Sequence, residues 1–165
     1  MTMTTTKEGK VQLMLGGTDR AVINWSDGTP NDTVTLSIDN NTTLTHSYTG
    51  SVENTITITG DNVTFLRCTY NQLTALDVSK NTALTNLRCS NNQLTALDVS
   101  NNTSLVWFFI QFNAFETGGL DTLFGTLHNN RVDSPYNYIY VSNNPGTAGC
   151  NPGLAPSRWV VDTTH

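Results

Sequence analysis

Trp107, Phe109, Phe112, Tyr138 and Tyr140 alternate with apolar residues in two short runs. Arg67 and Arg88 occupy matching places in two earlier runs. Aromatic residues and arginine dominate the energetics of recognition surfaces. Arg88 could also stack over Phe109 as a cation–π pair. The chemistry this set offers is binding, to a protein or a glycan ligand. Its alternatives are packing against the C-terminal tail, against a second copy of the chain, or against a further domain.

Catalysis has less to work with. His46, His128 and His165 lie far apart, no glycine-rich phosphate loop is present, and no serine sits in a nucleophile-elbow context. Glu116 and Asp121 could be paired as a glycosidase dyad, but they flank a predicted surface helix with no evident cleft. The expectation is no catalytic residue and no enzyme. Asp77 and Asp98 fall in one column of a repeat, and oxygen ligands of that kind suit calcium. Two carboxylates are thin provision, and turn capping by Asp and Asn explains them. Asp27 near Asp32 is read the same way. Cys68, Cys89 and Cys150 show no metal-ligand spacing, so neither metal nor cofactor is expected. Side chains from adjacent rungs run parallel, which suits a Cys68–Cys89 disulfide poorly, so core thiols are expected there.

The elements that would position these residues follow from an internal repeat. Asn71-Gln-Leu-Thr-Ala-Leu-Asp-Val-Ser recurs as Asn92-Gln-Leu-Thr-Ala-Leu-Asp-Val-Ser, 21 residues later. At that period Val63, Leu84 and Leu105 share a column, as do Leu66, Leu87 and Phe108, then Cys68, Cys89 and Ile110, then Asn71, Asn92 and Asn113. Alternation along a strand turns Leu87 and Cys89 inward and Arg88 outward. Stacked rungs then bury a shared core that no single rung could cover. Ile139-Tyr-Val141-Ser-Asn-Asn144 supplies a fourth rung after an insert. There Leu120, Leu123, Phe124 and Leu127 have helical spacing, predicting a short helix near 119–128. Parallel strands lie about 4.8 Å apart, so Trp107 should sit beside Tyr138 and Phe109 beside Tyr140. The tail, through Trp159-Val-Val161, should close the open end.

Before residue 61 the pattern is different. Val11, Leu13 and Leu15 alternate, as do Ala21, Ile23 and Trp25; Val34, Leu36 and Ile38; and Leu44, His46 and Tyr48. Turn-forming Gly and Asn separate these runs, predicting a small antiparallel assembly.

Composition sets outer limits. Charged residues are 13% of the chain, about half the usual share, with Thr and Asn in their place. A net charge of −5 argues against nucleic acid, which requires a basic face. No apolar stretch is long enough to span a bilayer. Met1-Thr2-Met3-Thr4 lacks the basic and apolar parts of a secretory leader, so the chain is either cytosolic or preceded by a leader outside this stretch.

Leu66-Arg-Cys-Thr-Tyr-Asn-Gln-Leu-Thr-Ala-Leu-Asp-Val-Ser-Lys-Asn-Thr-Ala-Leu84 and its second copy resemble the secreted or surface leucine-rich-repeat proteins of Bacteroides-type gut anaerobes. Ala21-Val-Ile-Asn-Trp-Ser-Asp-Gly28, with Thr45-His-Ser-Tyr48, resembles the PKD-type β-sandwich of bacterial surface proteins, although Ser26 departs from that pattern. These resemblances imply an exported, non-enzymatic binding protein on the outer cell surface or beyond it, with a lipid anchor outside this stretch as one option. The expected fold is therefore of a β-rich α/β class. A PKD-like β-sandwich-like cap over 1–61 would cover a leucine-rich-repeat solenoid over 62–165, with a parallel concave sheet and a C-terminal cap. The concave aromatic face would bind the ligand; the alternative is a spacer or stalk domain with no ligand of its own.

Overall fold

A computed structural model describes residues 1–39, 41–50, 52–130 and 135–164. Six strands open the chain: β1 (Thr2–Thr5), β2 (Gly9–Gly17), β3 (Arg20–Asn24), β4 (Asp32–Thr35), β5 (Thr42–Tyr48) and β6 (Asn54–Thr59). The next four are β7 (Val63–Arg67), β8 (Leu73–Asp77), β9 (Asn86–Arg88) and β10 (Trp107–Phe109). Helix α1 (Thr117–Thr126), strand β11 (Asn137–Tyr140), a 3-10 turn (Pro152–Leu154) and strand β12 (Trp159–Asp162) complete the order.

The described strands form two sheets, one of five strands in the order β4-β3-β6-β1-β8 and one of seven in the order β12-β11-β10-β9-β7-β2-β5. The first is antiparallel throughout. In the second, β7, β9, β10, β11 and β12 run parallel, while β2 and β5 join antiparallel at one side. One continuous core takes side chains from both sheets, among them Met3, Ile23, Ile56 and Leu73 from the first and Leu13, Leu66, Leu87 and Phe108 from the second.

This corrects the expected fold class. The chain is mostly β, with 37% strand, 8% helix and one α-helix among the described residues. It is not a helix-flanked leucine-rich-repeat solenoid of α/β class. Nor do the N-terminal strands make a sandwich of their own over one end: β1 lies between β6 and β8, and β2 lies between β5 and β7. The physical reason is the length and chemistry of the connections. Between β9 and β10 the Asn91-Asn92 and Asn101-Asn102 turns divide the chain into pieces too short to repay helix nucleation. Between β7 and β9 the Leu73–Asp77 segment instead finds a partner in β1, with Met3 opposite Leu76. The longest connection, between Phe109 and Asn137, winds a helix, and α1 docks there through Leu120, Leu123 and Phe124.

Asparagine side chains tie successive turns together. Asn92 Oδ1 accepts from the Asn71 and Leu73 N–H groups, both at 3.0 Å, while its Nδ2 donates to the carbonyls of Cys68, Cys89 and Ser90. Asn113 and Asn144 repeat the arrangement one and two rungs on. Asn71 extends it in the other direction, bonding the backbone N–H and carbonyl of Gln12 on β2. Buried backbone groups at these turns would otherwise be unpaired, at a cost of about 1–3 kcal/mol each. No described helix is long and apolar enough to cross a membrane.

Candidate functional site

The outward face of the seven-stranded sheet carries the residues singled out by their spacing. Trp107 pairs with Tyr138, and Phe109 with Tyr140, in the parallel β10–β11 ladder. Phe65 and Arg67 stand opposite Asn86 and Arg88 in the β7–β9 ladder. Every second residue points away from the core, so Phe108 and Leu87 are fully buried while Trp107 is 39% exposed.

Parallel strands place like side chains side by side, and the rings respond by stacking. The Trp107 and Tyr138 centroids lie 4.9 Å apart with planes 9° from parallel; for Phe109 and Tyr140 the values are 4.6 Å and 4°. The Arg88 guanidinium carbon sits 4.9 Å from the Phe109 centroid and 5.6 Å from that of Phe65. The result is a continuous ladder across four strands: Phe65, Arg88, Phe109, Tyr140. Ring faces within it are largely occupied by one another, leaving mainly ring edges to solvent.

Phe112 stands apart from that ladder. It lies just past β10, 51% exposed, and with Tyr70 it touches no other ring among the described residues. Arg67 is exposed, with its Nε donating to Thr69 Oγ1 at 3.1 Å and Nη1 3.9 Å from the Met14 sulfur. Met14 belongs to β2, directly opposite Arg67. Two adjoining depressions of about 290 and 280 Å³ run along this part of the face and share Arg67, Thr69 and Tyr70. The first brings in Lys7, Lys10 and Gln12 from the N-terminal strands. The repeat could not signal those residues, because they lie outside it and reach the site only through β2–β7 pairing.

The residues weighed for catalysis are engaged elsewhere. Asp121 Oδ1 accepts from the Asn151 N–H at 2.7 Å, which fastens the 3-10 turn to α1. His128 Nε2 lies 2.8 Å from the Leu105 carbonyl, and its ring meets Trp159 edge-on. His165 lies outside the described residues. Asp77 and Asp98 accept from the Ser79 and Ser100 N–H groups, both at 2.8 Å, as turn caps. Cys68 and Cys89 are free and buried, and burial pushes the Cys68 thiol up to about 12.

His46 belongs to a polar cluster remote in sequence from the aromatic ladder. Its Nε2 lies 2.6 Å from Asp27 Oδ2, and its ring stacks on Trp25 at 4.7 Å. Tyr48 donates to the Trp25 carbonyl, and Trp25 Nε1 to Asp32. The Thr29 hydroxyl, then His46, hold the Asp27 carboxyl down at about 2, against about 3.9 when unfolded. A depressed carboxylate contributes stability above its unfolded value and loses it as pH falls through the folded one. Stability should therefore decline between about pH 4 and pH 2, and Asp27→Asn should flatten that part of a melting-temperature profile. An unchanged profile in the variant would remove Asp27 from the account.

A comparison with protein-family models, with curated proteins and with solved structures returned no match to the chain.

Proposed function

We propose that the chain is a non-enzymatic binding module, secreted or displayed on the cell surface, that recognises a protein or glycan through the outward face of its seven-stranded sheet. The observation that carries this reading is the concentration of Trp107, Phe109, Phe112, Tyr138, Tyr140, Arg67 and Arg88 on the side of the seven-stranded sheet that faces away from the core. Exposed aromatic rings are costly to leave in water, and contiguous apolar patches on monomers commonly mark interaction sites.

A second reading has its own support. Because the four ladder rings of β10 and β11 stack face to face, they also brace the sheet, as a spacer or stalk domain would require. Stacked pairs contribute about 0.5–1.5 kcal/mol beyond area burial. Trp107→Ser and Tyr140→Ser each break one pair and remove one candidate contact. Screening the wild type on a glycan array and a protein-ligand panel, well below the melting temperature, should give a ligand that both variants lose. A wild type that retains nothing, with variants altered only in melting, would favour the spacer.

A further inference from the structure

Four residues at matching places in the rungs share a left-handed backbone: Tyr70 at φ 61°, Asn91 at 58°, Phe112 at 54° and Asn143 at 58°. Asparagine tolerates this region; a bulky aromatic residue there is strained. Burial does not offset the strain, since Tyr70 is 64% and Phe112 51% exposed. Strain of this kind gathers at ligand-binding positions. Both rings keep their faces free, unlike the stacked rings of β10 and β11.

The groove between them is basic. Tyr70 and Phe112 are two rungs apart, about 10 Å at the strand spacing; both depressions reach Tyr70, and the second also reaches Phe112. Lys7, Lys10, Arg67 and Arg88 line them, half of the eight Lys and Arg in a chain of net charge −5. No described lining residue is acidic, and none of the four cations is ion-paired among the described residues. The Lys7 ammonium donates to the Tyr70 carbonyl at 2.6 Å, which holds a positive charge beside the Tyr70 turn. Thr69, Ser90 and Asn91 supply neutral hydrogen-bonding groups along the floor.

Resting on the reading of this face as a binding surface, we propose that the groove binds an anionic polysaccharide. Tyr70 and Phe112 stack on sugar rings, while Arg67 and Arg88 pair with carboxylates or sulfates. Polarised C–H groups of a sugar meet the negative face of an aromatic ring, and guanidinium forks match planar or tetrahedral oxyanions. An acidic peptide would satisfy the cations, but peptide hot spots favour well-packed, desolvated pockets, and these depressions are open to solvent.

The test is titration of the full chain with polygalacturonate, dextran sulfate, neutral dextran and polyglutamate. At least one of the first two should bind, and the stronger identifies carboxylate or sulfate as the anion. Tyr70→Asn should weaken that binding about tenfold or more, as should Arg67→Gln with Arg88→Gln. Arg20→Gln, outside the groove, should not. Tyr70→Asn installs the residue already present at Asn91 and Asn143, so misfolding does not confuse the result. Equal binding of neutral dextran would keep the face as a binding surface and overturn the anionic assignment. Preference for polyglutamate, indifference to Tyr70→Asn, or no binding of any polymer would also overturn it. The Trp107 and Tyr140 experiment then judges the broader reading separately.

Discussion

Asn92→Ala should destabilise the chain by about 3–5 kcal/mol, lowering its melting temperature by roughly 10 °C or more. The side chain touches three successive parts of the backbone. Its oxygen is the acceptor for two N–H groups, those of Asn71 and Leu73. Its nitrogen serves the carbonyls of Cys68, Cys89 and Ser90. Not every loss counts equally. The Cys89 carbonyl keeps a second donor in Asn113, so the orphaned N–H groups dominate the cost. Asn92→Asp separates the two halves of the argument, because it keeps the acceptor and sets a carboxylate among carbonyls. It too should destabilise. Two-state urea or thermal melts of both variants provide the check, and wild-type stability in either would refute the account.

Gly146→Ala should cost about 3 kcal/mol or more. A methyl built there falls on the Thr117 nitrogen and the Glu116 carbonyl carbon, which are backbone and cannot swing aside. Gly146 N also donates to the Phe115 carbonyl at 2.8 Å, so this crossing ties the start of α1 to the turn after β11. The same substitution at Gly125, inside α1, meets nothing within 4 Å and should stabilise by about 0.5–1 kcal/mol. Opposite signs from one chemical change make the pair informative. A Gly146→Ala protein that melts with the wild type would show that the crossing yields readily.

The repeat columns were legible because their spacing reports side-chain direction. A 21-residue period brought Leu66, Leu87 and Phe108 into one buried column, and the matching motif that ends at Asn144, 31 residues on, set Trp107 beside Tyr138. The Asn column was legible too, since a side-chain amide can serve donors and acceptors of adjacent turns together. Fold class is not legible in the same way, because side-chain direction does not name the strand's partner. Thr2–Thr5 lies outside the alternating runs, and pairing between Met3 and Leu76 spans a separation no local pattern encodes.

The same divide runs through the candidate site. Residue types and spacing determined which side chains leave the core on β7, β9, β10 and β11. They also determined that arginine and aromatic residues share that face, because strand periodicity is a property of the chain alone. Tertiary structure decided that the rings of β10 and β11 spend their faces on one another. It also decided that Tyr70 and Phe112 stand free in left-handed turns, and that Lys7 and Lys10 arrive beside Arg67 through β2. Those outcomes depend on which strands become neighbours, a choice made by burial of the whole core at once and by no segment singly.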